Sequence, residues 1–348
     1  MNQKIGVLLV NLGTPDSPKT SDVRKYLNEF LTDERVIDVP WLKRQLLVRG
    51  AITPFRANNS AKSYKEIWDK KGSPLKYISE ELAEKAQESL DNIAHRASEG
   101  GNEYYVELAM RYQSPNIESA LMRLRQKNVH RYIVLPLFPQ YASSSTGSAH
   151  QKVMEIVSKW QVIPSINFIN SYYNNPDFIK AFTEIGKTYN HENYDHVLFS
   201  FHGLPERHLK KANDYGHCLN NAHCCQTISE KNQFCYSAQC HATAQLLAKE
   251  LNISEENYTI TYQSRLGRDP WMQPYTDKTL EDLAHKGIKK VLVFCPAFVA
   301  DCLETIFEIG VEYQEEFEEA GGEKVQLVES LNTHPLWVTA VKNMILGS

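Results

Sequence analysis

The residue most suited to chemistry is His202, in the run Phe199-Ser-Phe-His-Gly-Leu-Pro205. Val197–Phe201 is a short, mostly apolar stretch of the kind a strand covered on both faces requires, and Gly203 and Pro205 end it. In open α/β sheets ligands bind at the carboxyl ends of strands, and a neutral imidazole there can take a proton or ligate a metal. A lone histidine in that place is as often a simple strand cap, so its neighbours decide. A second apolar strand, Val291–Cys295, leads into Pro296-Ala-Phe-Val-Ala-Asp-Cys-Leu-Glu-Thr-Ile-Phe-Glu308. Asp301, Glu304, Glu308, Glu312 and Glu315 recur at steps of three, four, four and three, which predicts five carboxylates on one stripe of one helix. Glu312 and Glu315 read as a solvated face. Asp301 and Glu304, beside the strand end, read as groups with raised pKa values that relay protons or hold a divalent cation.

Five of the seven cysteines, Cys218, Cys224, Cys225, Cys235 and Cys240, fall in the polar window 216–240. Clustered cysteines in an intracellular protein more often hold metal or a cluster than form disulfides. Spacing alone leaves zinc, iron–sulfur and free thiols open. His217, His223 and His241 lie near enough in sequence to join such a shell. Cys295 and Cys302 read as core thiols, with Cys302 next to Asp301 and within reach of a cleft.

These groups need a scaffold. A chain of 348 residues with 42% hydrophobic content can bury a large core and suggests two domains. A net charge of −4 gives no basic bias toward nucleic acid. The start runs directly into a strand without a signal peptide, and no apolar run approaches a bilayer's thickness, so a cytoplasmic protein, at most peripheral to a membrane, is expected. Strand-like runs at 5–11, 104–110, 131–137 and 163–169 are followed by a second set at 196–201, 258–262, 290–295 and 324–329. Helical patterns separate them at 21–31, 78–90, 117–126, 149–159, 177–188, 238–251, 278–286 and 304–318. This alternation predicts an α/β fold of two similar Rossmann-like halves, each a four-stranded parallel sheet flanked by helices. The expected boundaries are 1–170 and 171–330, with the Cys-rich insertion at 216–240, and 331–348 as a helix packing back on the first half. The cleft between two such halves is the natural substrate site.

Taken together, Phe199–Pro205 and Phe298-Val-Ala-Asp-Cys-Leu-Glu-Thr305 resemble the ferrochelatase family. Further blocks are similar to that family in order along nearly the whole chain: Val10-Asn-Leu-Gly-Thr-Pro15, Gly72-Ser-Pro74, Met110-Arg-Tyr112, Pro139-Gln-Tyr141 with Ser143–Gly147, and Gln263-Ser-Arg265 with Trp271 and Pro274. The resemblance implies the class II chelatase fold and insertion of Fe²⁺, as substrate, into protoporphyrin IX or coproporphyrin III, the lyase step that ends haem biosynthesis. It implies that His202 and Glu304 face each other across the macrocycle as the iron-binding pair. Metallation must remove two pyrrole protons and deliver desolvated iron, and an imidazole opposite carboxylates suits both tasks. His202 is expected to take the protons, with Asp301, Glu304 and Glu308 forming a carboxylate path.

An apolar porphyrin slot with cations at its rim would draw on Leu12, Gly13, Thr14, Tyr112, Tyr141, Trp271 and Phe298 as walls, and on Arg111, Ser143 and, more weakly, Arg56 for the propionates. Gly13 allows close backbone approach to a flat ligand. Some bacterial relatives resemble this chain in carrying a cysteine-rich insertion that holds a [2Fe–2S] cluster. Cys218 and Cys235 are then the firmest ligands, Cys224 and Cys225 next, and Cys240 the weakest. The piece Trp41–Leu47, with Lys43, Arg44 and Arg49, has the composition of a contact with anionic lipid, although a surface helix packed on the core is preferred. A monomer or weak homodimer is expected. The competing readings are a two-lobed tetrapyrrole or metal carrier, and a chelatase for cobalt or nickel.

Overall fold

Eight of the apolar runs are strands. In the first sheet β1 (Lys4–Gly13), β2 (Glu103–Tyr112), β3 (Arg131–Pro136) and β4 (Ser165–Phe168) lie in the order β2-β1-β3-β4, every pair parallel. In the second, β5 (His196–His202), β6 (Tyr258–Gln263), β7 (Lys290–Phe294) and β8 (Lys324–Leu327) lie in the order β6-β5-β7-β8, again all parallel. The two halves thus share one topology. The computed structural model describes residues 3–96, 101–220, 223–267 and 269–348. One unit comprises Met1–Phe138, Ser143–Asn170 and Thr333–Ser348, and the other Pro139–Ala142 and Ser171–Asn332.

Parallel strands need long crossovers, and helices supply them on both faces, which explains why the central strands are continuously apolar. Val7, Leu8, Leu9 and Val10 of β1 are fully buried, as are Leu198, Phe199 and Phe201 of β5. Phe199 and Phe294 meet across neighbouring strands with ring centroids 5.3 Å apart. Burying a side chain of this size stabilises by about 1.5–3 kcal/mol. In each sheet the strand order reverses beside the first strand, between β1 and β3 and between β5 and β7. Crossovers leave in opposite directions there, so a crevice opens at the carboxyl ends.

Two helical expectations change. Thr53–Ile67 is a helix that the pattern does not announce, because its buried face is built largely from small residues, Ala57 and Ala61, followed by Tyr64 and Ile67. The predicted helix 304–318 is divided into a π-helix, Leu303–Glu312, and an α-helix, Tyr313–Glu319. Asp301 precedes both, so the five carboxylates do not share one helical stripe.

Candidate active site

In the second unit, His202 is the last residue of β5, at the sheet's switch point. Its Nδ1 lies 2.7 Å from the carbonyl oxygen of Gly203. A carbonyl only accepts, so Nδ1 carries the hydrogen and Nε2 presents a lone pair. The imidazole is half-buried, with the Phe298 ring centroid 6.4 Å away. The Trp271 indole packs beside Gly203 and donates from Nε1 to the Leu266 carbonyl at 3.0 Å.

The segment after β7 supplies the acids. Cys302 caps the π-helix: its backbone N–H donates to Thr305 Oγ1 at 3.0 Å, and its side chain accepts from the Thr305 amide. A π-helix closes i→i+5 bonds, and such turns occur often at functional sites. Glu304 and Glu308 are half-buried on it. The Glu308 carboxylate accepts from Ser264 Oγ at 2.7 Å, from Gln263 Nε2 at 3.2 Å and from the Tyr313 hydroxyl at 2.8 Å. Burial, then the neighbouring Glu308, pushes the Tyr313 hydroxyl up, so it remains a donor. Further along, Glu312 is raised by desolvation first and Glu308 second. The Cys302 thiol is buried, and that burial first and the neighbouring Glu304 second push it up. Asp301 has a different role: Oδ2 accepts from Asn332 Nδ2 at 2.8 Å, while Oδ1 accepts from the Ser330 amide at 3.2 Å and Thr305 Oγ1 at 3.1 Å. These bonds fasten the chain after β8 to the start of the π-helix.

The first unit holds most of the residues read as porphyrin walls, again at strand ends. Leu12 is half-buried at the end of β1, and its amide donates to Asn11 Oδ1 at 2.8 Å. Gly13 has φ +118°, and a Cβ there would meet the Tyr112 carbonyl oxygen at 2.0 Å, so close approach of β2 already demands glycine. Thr14 is buried against Ser73, oxygen to oxygen 2.8 Å. Tyr112 is fully buried, and its hydroxyl donates to Asp33 at 2.9 Å. Arg111 donates to Asp33 at 2.5 Å and through Nε to Ser148 Oγ at 2.7 Å. Its charge is therefore already matched by a carboxylate that the sequence reading missed. Ser143 Oγ accepts from Arg35 at 2.8 Å, which brings another unanticipated cation to that strand end. Tyr141, in the second unit, is half-buried, and its amide donates to Gln239 Oε1 at 2.7 Å.

Four of the five clustered cysteines converge. The Cys224 and Cys225 sulfurs are 3.5 Å apart, and the Cys218 and Cys225 thiols lie near enough to Cys235 to hold it well below the usual thiol range while their own values rise. Cys240 stands apart, fully buried, and burial pushes its thiol up. Among the described residues no three His, Cys, Asp or Glu side chains form a ready-made metal site. Asn221 and Ala222 of this segment lie outside the described residues.

At Trp41–Leu47 the preferred packing is inverted. Trp41, Leu42 and Leu46 are 66%, 62% and 67% exposed and Phe55 is 79% exposed, while Arg44 is buried and donates to the Ile37 and Val39 carbonyls. The guanidinium closes the preceding turn, which rotates the apolar side chains outward. Among the described residues no helix is long and apolar enough to cross a membrane.

Comparison with known proteins decides the family. The sequence profile of ferrochelatase matches residues 4–348. The chain belongs to the ferrochelatase family. It is 46% identical over 340 residues to the ferrochelatase of Legionella pneumophila (strain Paris), covering 98% of each chain. It is also 46% identical over 344 residues to that of Coxiella burnetii (strain Dugway 5J108-111), covering 99% of this chain and 93% of the relative. Among solved structures it is similar in fold to SirB from Bacillus subtilis with Fe³⁺, at a TM-score of 0.53 and 13% identity, over 99% of this chain and 94% of that one.

As a member of this family the protein is a porphyrin metallo-lyase, inserting ferrous iron in haem synthesis. Metallation exchanges two pyrrole protons for one Fe²⁺ ion, so the site needs a proton acceptor and oxygen or nitrogen ligands for a hard-to-borderline cation. The second unit gathers both kinds of group at the β5/β7 switch point. Gln263 is the ferrochelatase residue that the sequence reading underrated. From the end of β6 it bonds the Gly203 amide through its backbone carbonyl (2.7 Å), and its side-chain amide donates to the Glu304 carbonyl (2.8 Å) and the Glu308 carboxylate. Its only sequence signal is its place in a strand-end block beside Ser264.

Proposed function

We propose that His202 is the proton acceptor and Glu304 the acid that receives iron, with Glu308 taking protons onward and Asp301 anchoring the helix start. The observation that carries this reading is the His202 Nδ1–H bond to Gly203, which leaves Nε2 as a fixed lone pair. The ring gives up both pyrrole protons and gains Fe²⁺, so its own charge is the same before and after metallation. Protoporphyrin IX and coproporphyrin III both fit this chemistry and differ in the number of propionates at the rim. In this reading Leu12, Gly13 and Thr14 of the first unit, with Tyr112 behind them, are porphyrin-wall residues, as are Tyr141, Trp271 and Phe298 of the second. Arg35, Arg111 and Ser143 serve the carboxylates.

In this reading Cys218, Cys224, Cys225 and Cys235 would be the ligands of a [2Fe–2S] cluster, supported by the 3.5 Å approach of the Cys224 and Cys225 sulfurs and by the lowered Cys235 thiol. Such a cluster would supply one-electron redox chemistry away from the porphyrin. The exposed Trp41, Leu42, Leu46, Leu47 and Phe55, flanked by Lys43, Arg49 and Arg56, form a patch suited to a peripheral contact with anionic lipid. A cytoplasmic protein, monomeric or weakly dimeric, is consistent with this picture.

The test is anaerobic addition of Fe²⁺, with Zn²⁺ in parallel, to protein and each porphyrin, followed by visible absorbance. Metalloporphyrin formation that disappears in His202→Ala, with porphyrin still bound, is the expected result. Tight porphyrin binding without metallation by the unaltered protein would overturn the assignment in favour of a carrier. A reddish resting spectrum checks the cluster.

A further inference from the structure

We propose that Tyr236 positions His202 and transmits the state of the four-thiol loop to it. His202 ends its strand paired with Gln263, the last residue of β6, and the Gly203 amide after it still donates to the Gln263 carbonyl at 2.7 Å. The His202 carbonyl accepts from the Tyr236 hydroxyl at 2.9 Å. Tyr236 is buried, 7% exposed, and opens the helix Tyr236–Glu250. The Cys240 thiol lies one turn on along the same helix and is fully buried. A strand end whose last carbonyl rests on one neutral donor is a place where a small displacement moves the imidazole. A misplacement near 1 Å can cost on the order of 100-fold in rate.

The residue before Tyr236 is Cys235, the cap of this helix and the sulfur on which the thiols of Cys218 and Cys225 converge. Whatever those thiols bind therefore acts on the cap, and the next side chain holds the His202 carbonyl. The link is structural and short, and it involves no transfer of electrons between the two sites. It rests on the metallation reading only for its effect on rate.

The experiment uses the full chain and two independent readouts. In the Zn²⁺–protoporphyrin assay, Tyr236→Phe is expected to lower kcat about tenfold while KM for both substrates stays within about twofold. Cys240→Ala, which keeps the hydroxyl, serves as the packing control and should leave kcat within about twofold. In histidine-labelled protein, the His202 ring signal is identified by its loss in His202→Ala. Cys235→Ala should shift that signal in the otherwise unaltered chain and leave it in place in Tyr236→Phe. An unmoved His202 signal in both Tyr236→Phe and Cys235→Ala would overturn the proposal. So would equal shifts from Cys235→Ala in the two backgrounds. Failure of the unaltered chain to metallate would instead remove the metallation reading and leave the ring-signal test standing.

Discussion

Gln263 donates its side-chain amide to the backbone carbonyl of Glu304 at 2.8 Å, although 41 residues separate them. The amide's orientation is set from behind, because Oε1 accepts from Ser200 Oγ at 2.9 Å and from the Cys295 thiol. The same residue accepts the amide that follows His202. One buried glutamine thus ties both the residue after His202 and the Glu304 backbone to a single strand end.

Removing that amide should loosen the acids without emptying the porphyrin site. Gln263→Leu keeps the volume and is expected to lower kcat about tenfold with porphyrin KM little changed. Steady-state kinetics in the Zn²⁺ assay check this. A rise in KM at constant kcat would assign Gln263 to binding.

The carboxylates should differ sharply. If Glu304 receives the metal as proposed, Glu304→Gln is expected to lose at least about 100-fold in kcat. Glu315→Gln, exposed on the following α-helix, should stay within about twofold. Equal sensitivity of the two would refute the division made along this acidic run.

Asp33 is a structural carboxylate as well as an electrostatic one. Its side chain is 5% exposed, and Arg111, its partner, is 15% exposed. Asp33→Ala leaves that guanidinium buried and unpaired, with an expected cost of about 3–5 kcal/mol. Urea unfolding measures the loss. Asp33→Ala combined with Arg111→Leu should recover part of it, because the unpaired charge is then gone.

His150 gives a pH dependence of stability. Burial lowers its pKa from 6.5 to about 4, opposed only by its hydrogen bond to Ile169. The folded form therefore resists protonation that the unfolded chain accepts. The associated stability is present above pH 6.5 and is lost as pH falls toward 4, by about 3 kcal/mol in all. Thermal melts across that window should be flatter for His150→Gln than for the unaltered protein.

The exposed apolar patch should show itself on lipid. Sedimentation with anionic vesicles is expected to retain the protein at low salt and release it as salt rises. Trp41→Ala with Leu46→Ala and Phe55→Ala should abolish retention without changing turnover on detergent-dispersed porphyrin. Retention by the triple variant equal to that of the unaltered protein would show that charge alone is responsible.

Local pattern was enough to read all eight strands, most helices, the position of His202 at a strand end and the gathering of cysteines, because alternation, punctuation and spacing act over a few residues. The parallel α/β class followed from the same alternation. Tertiary structure decided what depends on distant partners. Tyr112, read as a ligand-facing aromatic, is buried because its hydroxyl meets Asp33 across 79 residues. Arg111 is matched by the same carboxylate. Arg44 is inside and Trp41 outside, the reverse of their solubilities, because two backbone carbonyls needed a donor. Asp301 left the acidic stripe when Asn332 and Ser330 claimed its oxygens. Gln263 and Tyr236, neither of them chemically reactive, are marked out only by where their hydrogen bonds land. Such pairings carry no period in the sequence. They are chosen when packed elements leave a buried polar group that must find its partner.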